Sequence, residues 1–87
     1  MNSSYSTNSS GDKYWFAENG LLHRDDGPAV EYANGDKQWY VNGFRHRDNA
    51  PAVEYVSGAK RWYYWGVFID CDTQEEFEAH LKLKAFW

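Results

Sequence analysis

The decapeptides HRDDGPAVEY (23–32) and HRDNAPAVEY (46–55) agree at eight of ten positions and stand 23 residues apart. A period of that size marks a repeat architecture, in which each unit buries its apolar face only against its neighbours. The same offset carries Asn19-Gly20 onto Asn42-Gly43, Gly35 onto Gly58, and Lys37 onto Lys60. It also carries Trp39-Tyr40 onto Trp62-Tyr63 and Gly43 onto Gly66. Beyond Gly66 the pattern stops, with Ile69-Asp70 at the third His-Arg position. Upstream, Trp15-Phe16 matches Trp39-Tyr40, but one extra residue separates it from its Asn-Gly, which places a bulge there.

The unit reads as β. Val30, Tyr32, Trp39, Tyr40, Val41, Val53, Tyr55, Val56 and the run Trp62-Tyr63-Tyr64 are strand formers. Asn34-Gly35 lies between AVEYA and DKQWYV, and Asn-Gly between such runs predicts a type I′ hairpin turn with positive φ at both residues. Ser57-Gly58 repeats that turn, and Asn19-Gly20 and Asn42-Gly43 supply the opposite ones. The expected fold is mainly β, an antiparallel meander of two strands per repeat over about 13–70. Pro28 and Pro51 lack an amide donor and should open strands or sit at bulges. Ala50, in place of Gly27, should avoid positive φ.

The period changes near the C-terminus. Asp72-Thr73-Gln74-Glu75 has capping-box spacing with Asp72 as the cap, which predicts a helix over about 73–84. Phe77 and Leu81 share its apolar face, Ala85 extends it, and that face should cover the sheet. Residues 1–12, MNSSYSTNSSGD, are too polar to offset their ordering entropy and read as a disordered tail before a single domain over 13–87.

Eighty-seven residues form one small domain, which buries only about 60% of its unfolded surface. Five Trp and seven Tyr exceed what such a core needs, so some should face a ligand or a second copy, most simply in a dimer. A net charge of −4 argues against nucleic-acid polymers, although Arg45, His46 and Arg47 form a local basic cluster. Cys71 is the sole cysteine, which excludes an intramolecular disulfide and suits a reducing cytoplasm. No apolar run is long enough for a membrane span or a signal peptide, so the two Asn-Ser-Ser sequons are accidents of composition.

The phrase W-Y-x-N-G, then H-R-x-D/N-G/A-P-A-V-E-Y, then N/S-G resembles the MORN-like repeat proteins of bacteriophages and large DNA viruses over about residues 14–70. The segment WYYWGVFIDCDTQEEFEAHLK at 62–82 is similar to the way such repeats end. The resemblance implies a hairpin-per-repeat sheet, a viral origin and, by analogy with small phage proteins, a role against host defence. It departs from ordinary MORN repeats in the arginines, Arg24 and Arg47, that follow each histidine, and from its own consensus at Asn49 and Ala50.

His23-Arg24-Asp25 and His46-Arg47-Asp48 admit two readings. As scaffold, each Asp accepts from nearby amides in an Asx-turn, and Arg24 and Arg47 pair with Glu31 and Glu54 across strands. As a site, equivalent residues of successive hairpins stand two strands apart, about 10 Å at roughly 4.8 Å per strand. Metal–His bonds are about 2 Å long, so His23 and His46 should share no metal; His80, four residues after Glu76, makes a helix-surface contact. The spacing instead suits a ligand with two anionic groups, such as a cyclic nucleotide or ADP-ribose derivative. The candidate ligand contacts are His23, Arg24, Arg45, His46 and Arg47, with Tyr40, Tyr63 and Trp65 as stacking surfaces.

Such a protein would sequester a nucleotide-like host immune signal without a cofactor. The alternative is a metal-independent phosphodiesterase using His23 and His46 as bases, with Arg stabilising the transition state. No Ser or Cys nucleophile motif supports it, since Asp70 and Asp72 should raise the Cys71 thiol pKa. A third reading is an interaction module docking a host protein through the aromatic strand 62–65. Its residues alternate faces, so one face should meet the helix and the other a ligand or subunit.

Overall fold

The computed structural model describes residues 4–84. Its strands are β1 (Ser4–Thr7), β2 (Lys13–Phe16), β3 (Val30–Glu31), β4 (Lys37–Gln38), β5 (Tyr40–Val41), β6 (Phe44–Arg45), β7 (Val53–Glu54), β8 (Lys60–Tyr64) and β9 (Val67–Ile69), followed by α1 (Gln74–Lys84). Every pairing is antiparallel. Strands β1-β2-β3-β4-β7-β8-β9 form one sheet, and the β5–β6 hairpin leaves it between β4 and β7. The chain is thus mainly β with a C-terminal helix. None of its described helices is long and apolar enough to cross a membrane.

The register gives the sheet two unlike faces. Lys13, Glu31, Lys37, Glu54 and Lys60 are successive cross-strand partners, an alternating charge ladder. Each opposite-charge neighbour contributes roughly 0.2–1 kcal/mol relative to alanines. The next residues, Tyr14, Val30, Gln38, Val53 and Arg61, form the row on the opposite face. Val30 and Val53 are buried in that row, while Ala29 and Ala52 are completely buried beside them. The carbonyls of Ala29 and Ala52 accept the amides of Trp15 and Trp39. The repeated Pro-Ala-Val-Glu-Tyr run is therefore strand and strand entry, with each Pro two residues ahead of its strand.

Two turn types join the strands. Tyr32 accepts the Gly35 amide and donates its own to Asp36, so Ala33-Asn34-Gly35 is a three-residue loop with only Gly35 at positive φ (102°). Asn34 Oδ1 accepts the Asp36 amide and closes it. The loops at 18–20 and 56–58 have the same backbone hydrogen bonds. The type I′ expectation at Asn34-Gly35 and Ser57-Gly58 is corrected, because one added residue lets an ordinary turn plus a left-handed Gly join the strands. The extra residue after Trp15-Phe16, expected as a bulge, is taken up by the same three-residue loop between Ala17 and Leu21. Positive φ at two successive residues occurs instead at Asn42-Gly43 (50° and 85°) and Trp65-Gly66 (49° and 85°). Ala50 does not adopt it.

Both ends of the array are covered. Residues 4–12, expected within a disordered tail, form β1 and a turn. The reason is backbone pairing with the open edge of β2 and one good side-chain contact, Tyr5 against Trp15 with centroids 5.0 Å apart. Composition counts side chains and misses both terms. Asn8 Oδ1 accepts the amides of Ser10 and Asp12. Residues 1–3 lie outside the described residues.

At the other end, Ile69 occupies the position of His23 and His46. It packs with Trp62 and Phe77 in a buried cluster joined by Tyr64, Cys71 and Leu81. Trp62 Nε1 donates to Gln74 Oε1 at 2.8 Å. Helix α1 thus stands where a further repeat would. Its cap is Thr73 rather than Asp72: Thr73 Oγ1 accepts the Glu76 amide at 3.2 Å, and Glu76 Oε1 accepts the Asp72 amide at 2.9 Å. The hydroxyl one residue later makes the reciprocal pair with Glu76. Ala85 lies outside the described residues.

Candidate functional site

Each histidine is a link between repeats. His23 and His46 are 8% and 4% exposed. His23 Nδ1 accepts the Asn42 amide at 3.0 Å, and His46 Nδ1 accepts the Trp65 amide at 3.0 Å. The second amide of each turn, from Gly43 or Gly66, goes to the carbonyl of Leu22 or Arg45. An accepting Nδ1 leaves the proton on Nε2, which donates to Asp25 or Asp48 at 2.8 Å. Both ring nitrogens are used, so neither histidine offers a free base to a substrate.

The following arginines are equally committed. Arg24 lies 3.9 Å from the Trp15 ring centroid, and Arg47 lies 3.8 Å from that of Trp39. Nη1 of each donates to a proline carbonyl, of Pro28 or Pro51, and to Glu31 or Glu54 at 2.9 Å. The Arg–Glu pairs are those the scaffold reading expects. Arg24 also meets Asp26 at 3.1 Å and lies against Gly27, where an added Cβ would stand 3.1 Å from its guanidinium. Asn49 and Ala50 replace that Asp-Gly in the second repeat, so Arg47 forms no equivalent contact.

Between the two loops lies a groove of about 550 Å³. Arg24, Tyr40, His46 and Arg47 reach its wall, together with Asp25, Asp26 and Asp48. Both guanidiniums there are already paired with carboxylates. The predicted cluster of basic contacts is therefore split, and its His-Arg members are spent on the fold.

A second arrangement forms on the face opposite the charge ladder. Arg45 Nε donates to Gln38 Oε1 at 3.2 Å, and the Tyr40 hydroxyl donates to the same oxygen at 2.9 Å. The Arg45 guanidinium lies 5.8 Å from the Tyr40 ring centroid and 5.2 Å from that of Tyr63. Tyr63 in turn packs against Phe68 at 5.5 Å. Arg45 has no carboxylate within ion-pair distance among the described residues. It borders a shallow depression of about 260 Å³ with Tyr40, Gly43, Phe44 and Gly66. Tyr32 belongs to this face. Burial raises its hydroxyl pKa, as do neighbouring Tyr14 and Tyr40, against the opposing charge of Arg45.

Tyr40, Arg45 and Tyr63 are thus brought together, whereas His23 sits inside the array and Trp65 stacks on His46 with centroids 3.8 Å apart. Gln38, which orients both Tyr40 and Arg45, lies outside the repeated phrases of the sequence. The signal was present as a break in the repeat. Position 45 is Leu22 in the unit before and Phe68 in the unit after, and Gln38 has Arg61 as its counterpart 23 residues later. Residues that the repeat does not require are those free to make a site.

Cys71 is half-buried, and its thiol pKa is raised by burial first, then by Glu76, Asp72 and Asp70. No family model, no curated protein and no solved structure matches this chain.

Proposed function

We propose that this chain is a binding protein for an anionic, nucleotide-like small molecule, held on the Tyr40–Arg45–Tyr63 face. The carrying observation is Arg45 itself: a guanidinium without a carboxylate partner among the described residues, set over two tyrosine rings, where the adjoining repeats have Leu22 and Phe68. A guanidinium recognises phosphate through paired N–H donors, and tyrosine rings accept a base by stacking. The MORN-like resemblance supplies the setting, a viral protein that removes a host immune signal by sequestration. With both ring nitrogens of His23 and His46 occupied, binding is favoured over cleavage. Thermal-shift and calorimetric titration with cyclic nucleotides and ADP-ribose derivatives tests this. A bound ligand should be recovered intact, and Arg45→Gln should weaken it about tenfold or more. If no member of the panel shifts the melting temperature, the proposal falls.

A second reading, docking of a host protein, is favoured by Trp65. It is 46% exposed beside Phe44 at 52%, and it holds φ at 49° where the preceding repeat has Asn42. That conformation costs a bulky residue about 1–2 kcal/mol, comparable to the roughly 0.5–1.5 kcal/mol from aromatic stacking on His46. Trp65→Asn should therefore keep the fold and stability within about 1 kcal/mol. If that variant still captures the same host protein, docking through Trp65 is wrong.

A further inference from the structure

The face that carries Arg45 has a second cation. Arg61 belongs to the row Tyr14–Val30–Gln38–Val53–Arg61, two strands from Gln38, which places their backbones about 10 Å apart. The flanking residue Trp62 is buried toward α1, so Arg61 and Tyr63 project to the opposite side. Arg61 is exposed, and Nη1 donates to the carbonyl of adjacent Lys60. It has no carboxylate within ion-pair distance among the described residues.

Among strand residues, this face carries Arg45 and Arg61 and no Asp or Glu, whereas the ladder face carries Lys13, Glu31, Lys37, Glu54 and Lys60. Asp12 and Asp36 flank Tyr32 just beyond the strand ends of this face, and each gives an oxygen to a backbone amide, of Ala33 or Val56. The fold does not require Arg61, since the equivalent position is Gln38 one unit earlier.

Resting on the proposed nucleotide reading, we infer that Arg61 is the second anion contact of this face. The ligand is then a nucleotide with two separated phosphates, and Tyr63 stacks its ring system between Arg45 and Arg61. Arg45 lies over the Tyr63 ring, and Arg61 stands two residues before Tyr63 on the same strand face, so the two arginines flank one tyrosine. Two forks on one side of a ring also set the ligand class. A mononucleotide engages one fork, whereas a dinucleotide with a phosphate at each end of its ring system engages both.

Calorimetry on the full chain with AMP and with a cyclic dinucleotide tests the assignment. The dinucleotide should bind at least about tenfold more tightly. Arg61→Gln should cost it about tenfold and leave AMP within about twofold, while Arg45→Gln weakens both. The salt dependence of dinucleotide affinity should also become shallower in Arg61→Gln, because one screened charge contact is removed. Circular-dichroism melting establishes that both variants fold, and Arg61→Lys, which keeps the charge and loses the fork, should fall between wild type and Arg61→Gln. If Arg61→Gln leaves dinucleotide affinity unchanged while Arg45→Gln abolishes it, the role of Arg61 is overturned and the Arg45 site stands. If wild type binds neither nucleotide, this inference fails, and the functional reading falls with it when the ADP-ribose derivatives also leave the melting temperature unchanged.

Discussion

His46 serves the fold through its unprotonated nitrogen. Nδ1 accepts the Trp65 amide inside the array, and Nε2 carries the proton to Asp48. Nitrogen-15 spectra should therefore show His23 and His46 as Nε2–H tautomers. His46→Ala orphans a backbone donor, and an unsatisfied buried amide costs about 1–3 kcal/mol. Chemical denaturation should show at least that loss; an unchanged midpoint would mean that the link between repeats contributes nothing. Cys71 gives a second residue-scale expectation. With its thiol pKa raised by burial and by Glu76, Asp72 and Asp70, less thiolate exists near neutrality. Alkylation by iodoacetamide should be slower than for a free cysteine, and a faster reaction would contradict the local geometry.

Among the elements, α1 is the clearest case of a local motif deciding a boundary. Thr73, not Asp72, accepts the Glu76 amide, so the helix starts at Gln74. Thr73→Ala should cost about 1 kcal/mol, the usual value of an N-cap, whereas Asp72→Ala should change stability by less than half of that. A larger loss for Asp72→Ala than for Thr73→Ala in urea melts would return the cap to Asp72. The helix also depends on tertiary contact: eleven residues are too few to be stable alone in water, and Phe77 is its fully buried anchor. Both Asp72 and Thr73 have capping chemistry in the sequence, and only the path of the chain out of β9 selects between them.

At the scale of the whole molecule, carboxylates at the hairpin tips repeat the linkage made by the histidines. Asp12 Oδ1 accepts the Ala33 amide at 2.8 Å, and Asp36 Oδ1 accepts the Val56 amide at 2.7 Å. The Asp12 pKa is lowered, first by the Ala33 amide and then by Asn8. A depressed carboxyl stabilises the fold above its unfolded value, and that contribution is lost as pH falls through the lower folded value. The Ala33 amide should thus lose hydrogen-exchange protection selectively only at a pH below the ordinary aspartate range, after correction for intrinsic rates. Protection that persists to pH 2 would remove Asp12 from the linkage.

The sequence alone determined the unit, its β character, its turn positions and the C-terminal helix, because these depend on local propensity and on a period that any internal comparison exposes; that the run DKQWYV divides at Trp39 into β4 and β5, in separate sheets, was decided by the fold. Its Arg–Glu pairing was legible for the same reason, since both partners recur in step. Only the tertiary structure decided what the histidines do, because an amide from the next repeat is a contact made across 19 residues of chain. It also decided that β1 forms, since an open strand edge belongs to the assembled sheet and not to composition. The candidate site was legible in part. Tyr40, Arg45 and Tyr63 were named from the sequence, but the repeated His-Arg-Asp phrase drew attention to residues that build the array. The residues left for a ligand are those where the repeat fails to repeat, and only the folded sheet shows Arg45, Gln38 and Arg61 on one face.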